Sequence, residues 1–188
     1  IVLRIKPGID AHTHDYIRTG QIDSKFGFAL ENGEAFECTE KALKYKNIAL
    51  YGFHCHIASQ VCETKPFQEA AEVMLTFMSQ VRERFGVTLT ELNLGGGFGV
   101  KYIESDGQIP FCEYMKNTAV ALKTKADELN FPVPKIFIEP GRSVIAPAGL
   151  TLYTVGNVKT IKDVRTYVAI DGGMGDNPRY ALYQADYT

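Results

Sequence analysis

Four short runs rich in β-branched and apolar residues recur along the first three quarters of the sequence at nearly constant spacing. Residues 1–5, 48–55, 91–94 and 135–138 start 47, 43 and 44 residues apart. Helical patterns fill the gaps. The clearest covers residues 66–85, where Phe67, Ala70, Ala71, Met74, Phe77, Met78, Val81 and Phe85 return at steps of three and four and form one apolar stripe. Thr64 is placed to cap its start, Pro66 suits the first turn, and Gly86 suits its end. A second helix is expected over 111–129, with Phe111, Tyr114, Met115, Leu122 and Leu129 on one side, and a third over 35–45 after a turn at Asn32-Gly33. Strand and helix alternating in this way call for crossover connections and a parallel sheet. The steps exceed a minimal βαβ unit, so the loops have room to carry function.

After residue 138 the rhythm changes. Residues 150–161 and 166–170 alternate apolar and polar side chains, with Gly and Asn between, which predicts antiparallel strands. The boundary is expected between residues 141 and 149, dividing the chain into an α/β part, 1–145, and the first strands of an antiparallel β-domain, 146–188. Four βα units make half of an eight-stranded TIM-like (β/α)8 barrel, and an open doubly wound sheet fits the same rhythm. The half-barrel alternative leaves two bare strand edges to be covered.

Composition narrows the partners. At 188 residues, 45% apolar and 22% charged, the chain is globular, with about one domain and part of another. A net charge of −2 with no basic run argues against nucleic acid or an anionic membrane as the main partner. No apolar stretch approaches the ~20 residues of a membrane helix. Cys38, Cys55, Cys62 and Cys112 lack CxxC spacing and read as reduced thiols, so a cytoplasmic setting is expected. The sequence opens on strand-like residues with no Met, which reads as a segment of a longer protein.

Each expected strand ends in unusual chemistry: Lys6-Pro7-Gly8, then residues 54–60 (HCHIASQ), 95–99 (GGGFG) and 139–142 (EPGR). In parallel α/β folds the C-terminal strand ends face the active site, so four such clusters in succession point to one. Gly95, Gly96 and Gly97 read either as a tight turn or as a backbone nest for an anion. With Ser59 on one neighbouring strand end and Arg142 on the other, phosphate binding is the better reading. His54 and His56 share one strand face, and His12 and His14 form a second HxH pair. These pairs leave open a zinc-dependent hydrolase, against a buried, hydrogen-bonded core histidine at His54. Glu139 closes a buried apolar run and needs a positive or donating partner, either Arg142 or a cationic ligand atom such as a protonated ring nitrogen. Arg179 and Tyr183, after the glycine-rich residues 171–178, offer a fork and a hydroxyl for a carboxylate, or are simply surface residues.

In order, residues 56–60, 95–99, 139–142 and 171–179 resemble the motif set of the fold-type III decarboxylases that depend on pyridoxal 5′-phosphate (PLP). Residues 10–17 (DAHTHDYI) and Asn177-Pro178-Arg179 narrow the resemblance to the diaminopimelate branch of that family. It spans essentially the whole chain, with Ala58 standing where the family has glycine. It implies that the chain is the second half of the barrel, partly forming the PLP-binding domain, followed by the start of the β-domain. The implied reaction is decarboxylation of meso-2,6-diaminopimelate to L-lysine and CO2.

The resemblance also implies roles. His56 would stack on the pyridine ring. Ser59, Gly95, Gly96, Gly97 and the loop of Glu139, Pro140, Gly141 and Arg142 would hold the cofactor's phosphate and ring. Glu139 would keep the ring nitrogen protonated, and Arg142, Arg179 and Tyr183 would grip the distal end of an amino-acid substrate. Lys25 resembles a position near the family's dimer interface, and the intact enzyme is expected to be a homodimer with sites between subunits. The family's Schiff-base lysine would lie before Ile1, and a partner-contributed cysteine segment and a phosphate-binding tyrosine after Thr188. No lysine of the chain matches the Schiff-base position, so the chain alone is expected to be inactive. Rival readings are a decarboxylase of ornithine, arginine or carboxynorspermidine, a noncatalytic regulatory relative, and the metal-dependent hydrolase.

Overall fold

The computed structural model describes residues 1–9, 25–104, 106–107 and 109–183. They fall into two compact units, Ile1–Val100 with Gly107–Val144, and Lys101–Asp106 with Ile145–Thr188.

The first unit is a five-stranded, all-parallel sheet in the order β2-β1-β3-β4-β5. Its strands are β1 (Val2–Lys6), β2 (Phe28–Ala29), β3 (Gly52–His54), β4 (Glu91–Asn93) and β5 (Lys135–Phe137). Helices α1 (Glu34–Lys44), α2 (Lys65–Phe85) and α3 (Phe111–Glu128) alternate with them as the periodicity predicts. The strand β2 is one more than the sequence pattern supplies, because two residues carry no period to detect.

Register sorts the side chains onto two faces. Leu3, Phe53, Leu92 and Ile136 align across β1, β3, β4 and β5, and so do their neighbours Arg4, His54, Asn93 and Phe137. Alternation puts the two rows on opposite faces. Phe53 packs against Phe77 of α2 with ring centroids 4.7 Å apart, so the apolar row faces the helices. Phe53, Leu92, Met74, Leu75, Phe77 and Met78 are all buried in the single core. The other face carries Arg4, His54, Asn93 and Phe137, and the strand ends hold the motifs.

The helix signals hold in part. Gly86 closes α2 in the left-handed region, φ 70°, and donates its N–H to the carbonyl of Arg82, as a glycine C-cap does. Thr64 does not cap α2 as expected. It adopts helical dihedrals and its hydroxyl instead accepts from Gln68 Nε2 at 3.2 Å and Asn117 Nδ2 at 3.3 Å, tying α2 to α3. On α3, Tyr114 and Leu122 are buried, whereas Phe111 stays exposed.

The second unit contains an antiparallel hairpin of β6 (Val155–Ile161) and β7 (Arg165–Ile170), then a short helix α4 (Pro178–Tyr183). The first strand begins five residues later than expected, since Leu150 and Leu152 lie outside the ladder and are about nine-tenths exposed. Asp163, at φ 57°, makes the turn, and the Thr160 and Thr166 hydroxyls meet at 3.1 Å across the strands.

Candidate functional site

The parallel sheet delivers the C-terminal ends of β3, β4 and β5 side by side, and three of the expected motifs meet there. His56, Ser59, Gly97, Phe98, Glu139, Gly141, Arg142 and Ser143 line one cavity of about 260 Å³. That is slightly below the roughly 300–1,000 Å³ of small-molecule sites in general. Clefts of about 400 and 420 Å³ open elsewhere in this unit, but their walls are drawn from α1, α2 and their surroundings and include none of these residues.

The glycine loop is packed too tightly for side chains. A Cβ on Gly95 would sit 2.5 Å from the carbonyl oxygen of Cys55, one on Gly96 2.0 Å from that of Glu139, and one on Gly97 1.9 Å from that of Ala58. Gly97 also has φ 94°, a conformation that side chains disfavour. The three glycines therefore bring the backbone after β4 against both neighbouring strand ends. Ala58 itself is fully buried.

Glu139 sits two residues beyond β5. Its Oε1 accepts from Asn93 Nδ2 at 2.9 Å, and its Oε2 lies 3.6 Å from His54 Nε2. Glu139 N–H donates to Gly95 O at 2.7 Å, so its backbone is held as firmly as its side chain. Of the partners anticipated for this carboxylate, Arg142 shares its cavity, while Asn93 and His54 supply the described contacts. Asn93 escaped sequence reasoning, although alternation in Glu91-Leu92-Asn93-Leu94 already sets it opposite the buried leucines. Its Oδ1 also accepts from Gly95 N–H at 2.8 Å.

Both histidines favour the neutral form. Burial pushes His56 below its ordinary value of 6.5, and the nearby positive charge of Arg4 pushes it further. His54 is lowered chiefly by burial as well, against the pull of Glu139. His56 Nδ1 accepts from Gly96 N–H at 3.3 Å, which fixes the imidazole against the loop with its other nitrogen as the donor. The Nε2 of His54 is buried and faces Oε2 of Glu139 just beyond hydrogen-bond distance. Cys55 between them is fully buried, and its thiol is pushed up to about 12, which leaves it no role as a nucleophile.

Pro140 lies between Glu139 and Gly141 and is half-buried. Arg179 and Tyr183 belong to the second unit, one turn apart on α4, where the Arg179 guanidinium lies 4.9 Å from the centre of the Tyr102 ring. The residues 10–17 motif, with His12 and His14, lies outside the described residues. Among the described residues no three metal-ligating side chains gather, and no helix is long and apolar enough to cross a membrane.

Residues 1–146 match the family described as pyridoxal-dependent decarboxylase, pyridoxal binding domain. The chain is 50% identical over 187 residues to the diaminopimelate decarboxylase of Bacillus subtilis (strain 168) and 51% identical to that of Halalkalibacterium halodurans. Both alignments use the whole of this chain and 43% of the relative. Its structure is similar to that of a point mutant of diaminopimelate decarboxylase from Helicobacter pylori complexed with L-lysine, with a TM-score of 0.84 and 32% identity over the whole chain and 44% of that structure. The chain thus spans less than half the length of the relatives it matches.

Proposed function

The chain belongs to the pyridoxal-dependent decarboxylases, and from that premise we propose that the intact protein converts meso-2,6-diaminopimelate to L-lysine and CO2. The observation that carries the reading is the convergence of His56, Ser59, Gly97, Glu139 and Arg142 on one cavity. The relatives' names supply the substrate, and the donor set fits the cofactor. A Cβ-free loop beside a hydroxyl and a guanidinium suits a phosphate, and a fixed carboxylate suits a protonated ring nitrogen.

When bound, PLP supplies an electron sink for the electron pair released as CO2 departs. The chain's residues prepare for that. Ser59 and the backbone at Gly97 would bind the phosphate, together with the loop of Pro140, Gly141 and Arg142, whereas Gly95 and Gly96, expected from the sequence to join them, spend their N–H groups on Asn93 and His56 and so shape the loop. His56, uncharged and fixed by Gly96, offers a flat face to the ring without repelling a proton on the ring nitrogen. Glu139 would hold that proton, with Asn93 keeping the carboxylate aimed. Arg142, on the cavity, would bind an acidic end of the substrate; for Arg179 and Tyr183 the resemblance in sequence alone supports a part in favouring diaminopimelate over ornithine or arginine.

The same reading makes the protein a cytoplasmic homodimer. Four free cysteines agree with a reducing compartment, and both strands of the hairpin expose apolar residues, Val158 and Val168 among them, that an interface would cover. The test is CO2 release by the intact protein from a panel of amino acids. Turnover of meso-diaminopimelate well above that of ornithine, arginine, lysine and carboxynorspermidine is expected. Preference for another member of the panel, or release that does not depend on PLP, refutes the assignment.

A further inference from the structure

Gln60 stands in the left-handed region at φ 60°. The other described non-glycine residues with positive φ are Asn130 and Asp163, of the two residue types that tolerate this conformation best. Glutamine has no such tolerance, so its side chain must supply what holds it there. It does so through two bonds to one residue. Gln60 Nε2 donates to Val100 O at 2.5 Å, and Gln60 Oε1 accepts from Val100 N–H at 3.4 Å. The amide side chain pairs with a backbone as a neighbouring strand would.

These bonds complete a zipper between the loop after β3 and the loop after β4. Val61 N–H donates to Gly97 O and Gly99 N–H to Val61 O, both at 2.9 Å, around a parallel bridge between Val61 and Phe98. Tyr114 of α3 buttresses the zipper from the core, its buried hydroxyl donating to Val61 O at 2.9 Å. Ser59 directly precedes Gln60, and Gly97 lies within the zipped stretch, and both line the cavity. The clamp at Gln60 and Val100 therefore sets the gap between Ser59 and Gly97.

We propose that Gln60 is a positioning residue for phosphate recognition: by clamping Val100 it fixes the spacing of Ser59 and Gly97, and thereby the preference for phosphorylated over unphosphorylated pyridoxal. This rests on the cofactor reading above. Gln60 touches no ligand itself. Its effect falls first on the phosphate arm, because Ser59 and Gly97 flank the clamp, whereas His56 and Glu139 are tied to the far end of the glycine loop at Gly96 and Gly95.

The test uses the intact protein, stripped of cofactor, and its Gln60→Asn and Gln60→Gly variants. Asparagine accepts the backbone conformation but is one methylene short of Val100, and glycine accepts it with no side chain at all. Dissociation constants for pyridoxal 5′-phosphate and for pyridoxal are measured by fluorescence titration. The affinity ratio of the two should fall roughly tenfold in both variants, the scale of one misaligned bond to a charged group, with pyridoxal itself changed less than about twofold. A ratio that stays at the wild-type value in both variants, or equal weakening of both ligands, overturns the role of Gln60 and leaves the cofactor reading standing. A wild-type protein that binds the phosphorylated form no more tightly than pyridoxal overturns both.

Discussion

Asn93 donates its side-chain amide to Oε1 of Glu139 at 2.9 Å, so the last residue of β4 holds a carboxylate two residues beyond the end of β5. The same side chain accepts from Gly95 N–H at 2.8 Å. One asparagine thus ties the carboxylate to the first turn of the glycine loop. Sheet register makes this possible, since Asn93 and Phe137 are aligned partners and Glu139 follows on the same face.

Replacing Asn93 with alanine should therefore damage two features together. The Gly95 N–H loses its acceptor and Glu139 loses its aim, at a cost of about 1–3 kcal/mol in stability. Urea denaturation of the intact protein should show the loss in midpoint, and kcat should fall with it. An Asn93→Ala protein with unchanged kcat and midpoint contradicts the account.

Glu139→Gln keeps a side chain of nearly the same shape but removes the charge. A carboxamide cannot hold a proton on a ring nitrogen in the way a carboxylate does. The expected loss in kcat is on the order of 10²-fold, the lower end of what a positioned proton-holding group contributes. Steady-state kinetics with saturating cofactor distinguish this from weakened binding, which would appear in KM or in the cofactor requirement.

The two histidines set a pH dependence whose sign follows from burial. Both are lowered from the ordinary value of 6.5 in the folded protein, so below that value the unfolded chain takes up protons first. Stability contributed by the neutral forms is present above pH 6.5 and is lost as the pH falls through the lower folded values. Thermal midpoints and cofactor affinity should both decline from about pH 7 to about pH 5.5. In His56→Phe, which keeps a flat ring but does not titrate, the acid-side decline in affinity should be shallower than in wild type.

Gly97→Ala places a Cβ 1.9 Å from the backbone carbonyl of Ala58 in a residue at φ 94°. The clashing atom is backbone and not a flexible side-chain end, so the loop must move. The variant should lose at least about tenfold in PLP affinity, as a displacement of about 1 Å at a binding group can cost far more. Titration against wild type measures it. Gly107→Ala, at a position where a Cβ meets nothing within 4 Å, serves as the control and should bind as wild type does.

The parallel sheet was legible because long helices such as α2 advertise their period and the spacing between strand starts leaves few alternatives. The strand-end clusters were legible because residue types at 56–59, 95–97 and 139–142 are conspicuous in their places. β2 was not, since Phe28–Ala29 is defined by its partner β1 and not by any local pattern. The failed cap at Thr64 has a similar cause: the contact with Asn117 arises only when α2 and α3 are packed. The roles of Asn93 and Gln60 depend on register between distant strands and on one backbone dihedral, and neither is written in a local window of residues.

The central claim is that the ends of β3, β4 and β5 form one cofactor site. A crystal structure of the intact protein with pyridoxal 5′-phosphate tests it most directly. The account predicts the phosphate between Ser59 and Gly97 and the ring nitrogen within hydrogen-bonding reach of Glu139. A phosphate bound elsewhere, or a ring nitrogen that does not face Glu139, would contradict it.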